Sequence, residues 1–167
     1  MSEKREVFRR VETDGPCTAI RELTPDEVIG EAKRIIKARF RRGRRIAQPR
    51  DAEDYLILTL GDREQEVFSC LYLDQRHRVI SCDLMAFGTL AEARVYPREI
   101  VKRAILYNAS SIIFAHNHPS GVAEPSKDDE ALTRRLSDAL RLIDVRVLDH
   151  FVVGGGETVT FAERGLL

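Results

Sequence analysis

Tryptophan is absent from these 167 residues, methionine occurs twice and cysteine only three times. Cys17, Cys70 and Cys82 form no C-x-x-C pair, and their number is odd. That argues against a disulfide framework or a cysteine-held metal motif, and it fits packing residues in a reduced, cytoplasmic setting. No apolar run approaches the roughly 20 residues of a membrane-spanning helix, and the N-terminus is charged rather than secretory. Excess charge of either sign is also missing, since 27 Lys and Arg balance 27 Asp and Glu. The whole molecule therefore has no overall pull toward nucleic acid or membrane.

What is present suits one globular domain with an appendage. Residues 1–48 read as an N-terminal arm and a basic helix, and residues 49–167 as a metal-binding domain. Met1 to Leu23 shows no clear period, with a turn signal at Asp14-Gly15-Pro16. Thr24-Pro25-Asp26-Glu27 opens a helix with a capping box and proline at its first position. Val28, Ile29, Ala32, Ile35, Ile36 and Phe40 then recur at helical spacing toward Arg42, with Gly43 as the stop. The end of this helix is strongly basic. Arg41, Arg42, Arg44 and Arg45 are its candidate contacts for a phosphate backbone, although cations also suit a helix C-terminus. An isolated basic helix ahead of a compact core also suits packing on a second copy of the chain.

Asp51 to Leu60 is ambiguous: its apolar run also suits a strand, but the acids at its start favour a short helix ended by Gly61. Period-two patterns over Val67–Leu73 and Val79–Phe87, with a turn between them, predict an antiparallel hairpin. A helix follows from Tyr96 to Asn108, with Ile100, Ala104, Ile105 and Tyr107 on its apolar side. Ser126 to Leu142 predicts a long amphipathic helix with Leu132, Leu136, Leu140 and Ile143 inward. Val145 to Val153 reads as a strand interrupted at Asp149-His150. Gly154-Gly155-Gly156 turns the chain into a last strand near Thr158. Lacking G-x-G-x-x-G spacing and a following helix, that turn is a poor phosphate cradle. The order of elements gives an α/β domain with a mixed sheet flanked by helices.

The chemistry concentrates in His116-Asn117-His118-Pro119, followed by Ser126 and Asp129. An apolar run, Ile112 to Ala115, leads into the first histidine. Residues two apart on a strand point the same way, so His116 and His118 leave the strand end on one face. Pro119 and Gly121 make the turn, and Ser126 caps the next helix with Asp129 in its first turn. Two imidazole nitrogens and one carboxylate oxygen with a fourth position open describe a catalytic rather than a structural zinc site. Asn117, pointing the other way, orders a turn.

These residues, with Pro97-Arg98-Glu99, Glu66-Val67-Phe68, Asp149-His150 and Phe161-Ala162-Glu163-Arg164-Gly165, resemble the RadC family of the JAB/MPN group of zinc metalloproteases, which carry the JAMM motif. The resemblance covers roughly Asp51 to Leu167. It implies the JAB/MPN fold, similar to the cytidine-deaminase-like α/β architecture, here in a short form without the helix-hairpin-helix region. It places Zn2+ on His116, His118 and Asp129, gives Ser126 the site serine, and makes Glu66 the general base, ahead of Glu64 and Glu99. Asp149 and His150 match the family without a ligand position and read as a buried hydrogen-bonded pair. The expected activity is hydrolysis of a peptide or isopeptide bond in a protein or peptide substrate. Its rivals are a DNA-repair or DNA-binding accessory protein and a non-catalytic MPN-type scaffold.

Overall fold

A computed structural model of the chain describes residues 8–10, 17–19, 21–39, 42–88 and 95–167. It divides into two compact units, Met1–Ile36 and Lys37–Leu167.

In the first unit β1 (Phe8–Arg10) pairs antiparallel with β2 (Cys17–Ala19). The missing period predicts a flexible or loosely docked arm there. Two triplets flanking a turn signal can pair without any longer periodic pattern. The turn signal itself, Asp14 to Pro16, lies outside the described residues. α1 (Pro25–Arg39) starts at the expected capping box: Thr24 N–H donates to Glu27, and Glu27 N–H donates to the Thr24 hydroxyl. The described helix runs to Arg39, Phe40 and Arg41 lie outside the described residues, and Arg42, the expected end, is in a turn.

The second unit is a five-stranded sheet between two helical layers. Its order is β4 (Val79–Phe87), β3 (Val67–Leu73), β5 (Ser111–Asn117), β6 (Arg146–Gly154) and β7 (Glu157–Thr160). Only β5 and β6 run parallel; the other neighbours are antiparallel. Parallel neighbours need a crossover, and α4 (Lys127–Arg141) supplies it. β3, β5 and the second half of β6 are buried end to end, so both faces are covered. Phe68, Cys70, Tyr72, Ile112 and Phe114 pack on one face with Ile100 and Ala104 of α3 (Pro97–Leu106) and Leu136 and Leu140 of α4. Val67, Leu71, Ile113, Ala115, Phe151 and Val153 pack on the other with Ala52, Leu56 and Leu60 of α2 (Pro49–Leu60). Ile105 is corrected from inward to outward, being 62% exposed. The buried stripe of α3 is the i, i+4 pair Ile100 and Ala104, and Ile105 is a further 100° round the helix.

β6 is continuous through Asp149 and His150, against the expected interruption. The irregularity lies just before them. Val147 pairs with Ile112 but Asp149 pairs with Ile113, so Leu148 is an extra residue. A one-residue slip exchanges the two faces of a strand. Without the bulge His150 would pair with Ala115 and face α2. With it, His150 pairs with Phe114 and faces α4. Among the described residues no helix is long and apolar enough to cross a membrane.

Candidate metal centre

Strand parity and one helix cap build the centre. His116 shares the α4 face of β5 with Ile112 and Phe114 and is fully buried. His118 lies just past the strand end, where its N–H still bonds Val153 of β6. Ser126 is the N-cap of α4. Its hydroxyl accepts from Asp129 N–H at 3.1 Å and donates to Asp129 Oδ2 at 2.7 Å, and its own N–H also reaches Oδ2 at 2.7 Å. These donors occupy one carboxylate oxygen and aim the other, Oδ1, at His116.

His116 Nε2 and His118 Nε2 are 3.0 Å apart. Asp129 Oδ1 lies 3.3 Å from His116 Nε2, and Oδ2 lies 3.6 Å from His118 Nε2. Glu66, one residue before β3, joins them: one ligand atom from each of Glu66, His116, His118 and Asp129 lies within 4.8 Å of the others. Asp129 Oδ1 is buried and has no hydrogen bond. A buried acceptor left so is costly in a closed apolar site, and such a group asks for a cation. His118 adds a directional argument. Its Nδ1 is 2.9 Å from the Val122 carbonyl, which can only accept, so the proton is on Nδ1 and the Nε2 lone pair faces the cluster. Burial alone would raise the Asp129 carboxyl, but His116 and the two Ser126 donors outweigh it and hold the group well below the usual carboxylate range. Asp129 is therefore an anion at neutral pH. A nitrogen lone pair, a second imidazole and a carboxylate at these spacings fit a metal ion bound by nitrogen and oxygen.

Asn117 points to the opposite face. Its side-chain oxygen accepts from Val67 N–H at 2.9 Å, and its amide donates to the carbonyls of Arg63 and Gln65 at 3.2 Å each. The turn it orders is thus the segment carrying Glu66, not the one after His118. Glu64 and Glu99 are exposed and outside the cluster. The Ser126 hydroxyl hydrogen rests on Asp129, not toward open space.

Asp149 and His150 are buried, but their side chains leave opposite faces. Asp149 accepts from the N–H of His150 and of Ala162, while burial raises its carboxyl. His150 reaches the centre, with Nε2 2.8 Å from His116 Nδ1 and Nδ1 2.6 Å from the Thr133 hydroxyl. Burial pushes its pKa far down, so the ring is neutral. Sequence reasoning missed Thr133. A signal existed: it lies four residues after Asp129 on the same face of α4, a polar residue among inward leucines.

The basic segment lies elsewhere. Arg44 O accepts from Val79 N–H, and Arg45 bridges to Arg78. That is the turn end of the β3–β4 hairpin, whereas Glu66 lies beyond the other end of β3, about 20 Å along the strand. Arg42, Arg44 and Arg45 are exposed there, and Arg41 lies outside the described residues.

A family model described as RadC-like JAB domain matches residues 46–166. A UPF0758 protein of Nitrosomonas eutropha is 53% identical over 140 residues, which cover 84% of this chain and 62% of that protein. A UPF0758 protein of Vibrio vulnificus is 54% identical over 138 residues, 83% of this chain and 62% of the relative. Another from Ralstonia nicotianae is 54% identical over 134 residues, 80% and 60% respectively. The chain thus matches over three fifths of the length of these curated relatives.

Proposed function

The chain belongs to the RadC-like JAB domain family, and from that premise we propose that it is a zinc-dependent hydrolase of peptide or isopeptide bonds. The observation that carries the reading is the convergence of His116, His118 and Asp129 with Glu66 beside them. A tetrahedral ion with bonds of about 2.0–2.1 Å spaces its ligands about 3.3 Å apart. The two Nε2 atoms are 3.0 Å apart and Asp129 Oδ1 is 3.3 Å from His116 Nε2. Three protein donors leave the fourth position for water or substrate.

His116, His118 and Asp129 would hold the ion. A bound zinc ion supplies Lewis acidity and lowers the pKa of coordinated water to about 7. Glu66 takes the proton of the attacking water and returns it to the leaving amine. Asn117 holds the Glu66 segment by its backbone, so the carboxylate meets the water without a search. Ser126 keeps Asp129 aimed inward. If its hydroxyl turns toward the substrate carbonyl, it adds an oxyanion donor, a contribution of roughly 3 kcal/mol.

The test is metal analysis of the purified protein with a peptide-library assay, run on wild type and Glu66→Gln. The expected result is one zinc per chain in both, with turnover in wild type and a roughly 10²–10⁴-fold lower rate in the variant. Wild type that takes up no zinc would end the proposal. Equal, background cleavage by both proteins would leave the scaffold reading in its place.

A further inference from the structure

Two buried polar side chains play no part in the reaction as drawn: Thr133 is 1% exposed and His150 is inaccessible. Their hydrogen bonds have a direction. The Thr133 hydroxyl lies 2.7 Å from the Asp129 carbonyl. A carbonyl only accepts, so the single hydroxyl proton goes there. Thr133 Oγ1 can then only accept from His150 Nδ1, at 2.6 Å. A neutral imidazole with its proton on Nδ1 has a bare Nε2. That nitrogen is 2.8 Å from His116 Nδ1 and must accept from it. With its proton on Nδ1, His116 presents a lone pair at Nε2, the atom facing His118 and Asp129.

We propose that Thr133 and His150 form a directional hydrogen-bond relay, anchored on the α4 backbone, that fixes the ring and tautomer of His116 so that Nε2 is a metal donor. Both are positioning residues. Broken at Thr133, the relay loses its direction. His150 is then free to carry its proton on Nε2 and donate to His116, which moves the His116 proton to the ligating nitrogen. The loop carbonyl of Val122 sets the tautomer of His118, so the two ligands are set by separate devices. The consequence for metal affinity rests on the proposed metal reading; the relay itself does not.

The experiment records nitrogen–proton correlation spectra of the imidazole rings in the metal-free protein at neutral pH. Zinc affinity is then measured by chelator competition, for wild type, Thr133→Val and Thr133→Ser. Wild type should carry the His150 proton on Nδ1. The valine variant should lose that signature and bind zinc roughly 10-fold or more weakly, within the range for outer ligand partners, and serine should restore both. A His150 proton on Nε2 in wild type would overturn the relay, and so would a folded Thr133→Val protein that binds zinc like wild type. Should the valine variant not fold, the wild-type spectrum alone decides. Should wild type bind no zinc, the metal reading fails while the spectrum still decides the relay.

Discussion

The two histidines of the centre differ in how they are held. His116 is enclosed, with Phe68 stacked at a ring separation of 6.4 Å and His150 on its far nitrogen. Its surroundings come from β3, β5, β6 and α4. His118 is 17% exposed at the side chain, and its far nitrogen bonds a loop carbonyl. Packed side chains from four elements fix the inner ligand, whereas the outer one depends on the shape of the loop from Pro119 to Pro125. Under the proposed metal reading, the inner histidine is the anchor and the outer one faces arriving substrate.

Removing each ligand in turn should break this comparison most sharply. His116→Ala and His118→Ala should each weaken zinc binding roughly 10³-fold, about a third of the free energy typical of structural zinc sites. Their effects on the fold should diverge. The inner change opens a cavity and leaves His150 Nε2 without its partner, so metal-free unfolding free energy should fall by about 2–3 kcal/mol. The outer change should alter it by less than about 1 kcal/mol. Denaturant titration of both apo variants measures the difference; equal losses would show that the outer ligand is also a structural member.

A smaller effect is expected where the loop meets the sheet. A Cβ on Gly154 would lie 2.7 Å from Ala123 N and 2.8 Å from the Val122 carbonyl carbon. Gly154→Ala must therefore push the loop outward, carrying the Val122 carbonyl off His118. Stability should drop by about 1–3 kcal/mol, and zinc affinity should drop by roughly 10-fold through His118. Unchanged zinc titration in a folded variant would show that the loop does not orient the ligand.

The smallest effect concerns Asp149, on the face away from the centre. Burial raises its folded pKa above the unfolded value, against the two N–H donors that lower it. A carboxyl raised in this way contributes stability at pH below its unfolded pKa of about 4 and loses it as pH rises through the folded value. Asp149→Asn keeps an acceptor for both N–H groups and removes the charge. The variant should gain on wild type as pH rises from 3 to about 7 in paired unfolding curves; a constant difference would show no such titration.

Local signals made much of this legible in the sequence. The alternation of Val67–Leu73 and Val79–Phe87 predicts the hairpin, the Thr24 and Ser126 caps predict two helix starts, and H-x-H after a buried run predicts two neighbouring imidazoles. Only the family resemblance points to Glu66, because no spacing rule links it to residues on β5. What stayed hidden depends on distant pairing. His150 faces the centre only because Leu148 bulges against Ile112 and Ile113, and the partners of Asn117 lie across the sheet on the approach to β3.

X-ray absorption at the zinc edge of the loaded protein tests the central claim most directly, because it reads the donor atoms themselves. The expected first shell contains two imidazole nitrogens and oxygen at about 2.0–2.1 Å, with the imidazole signature reduced to one ring in His118→Ala. A sulfur shell near 2.3 Å, or zinc whose imidazole count is unchanged by that substitution, would contradict it.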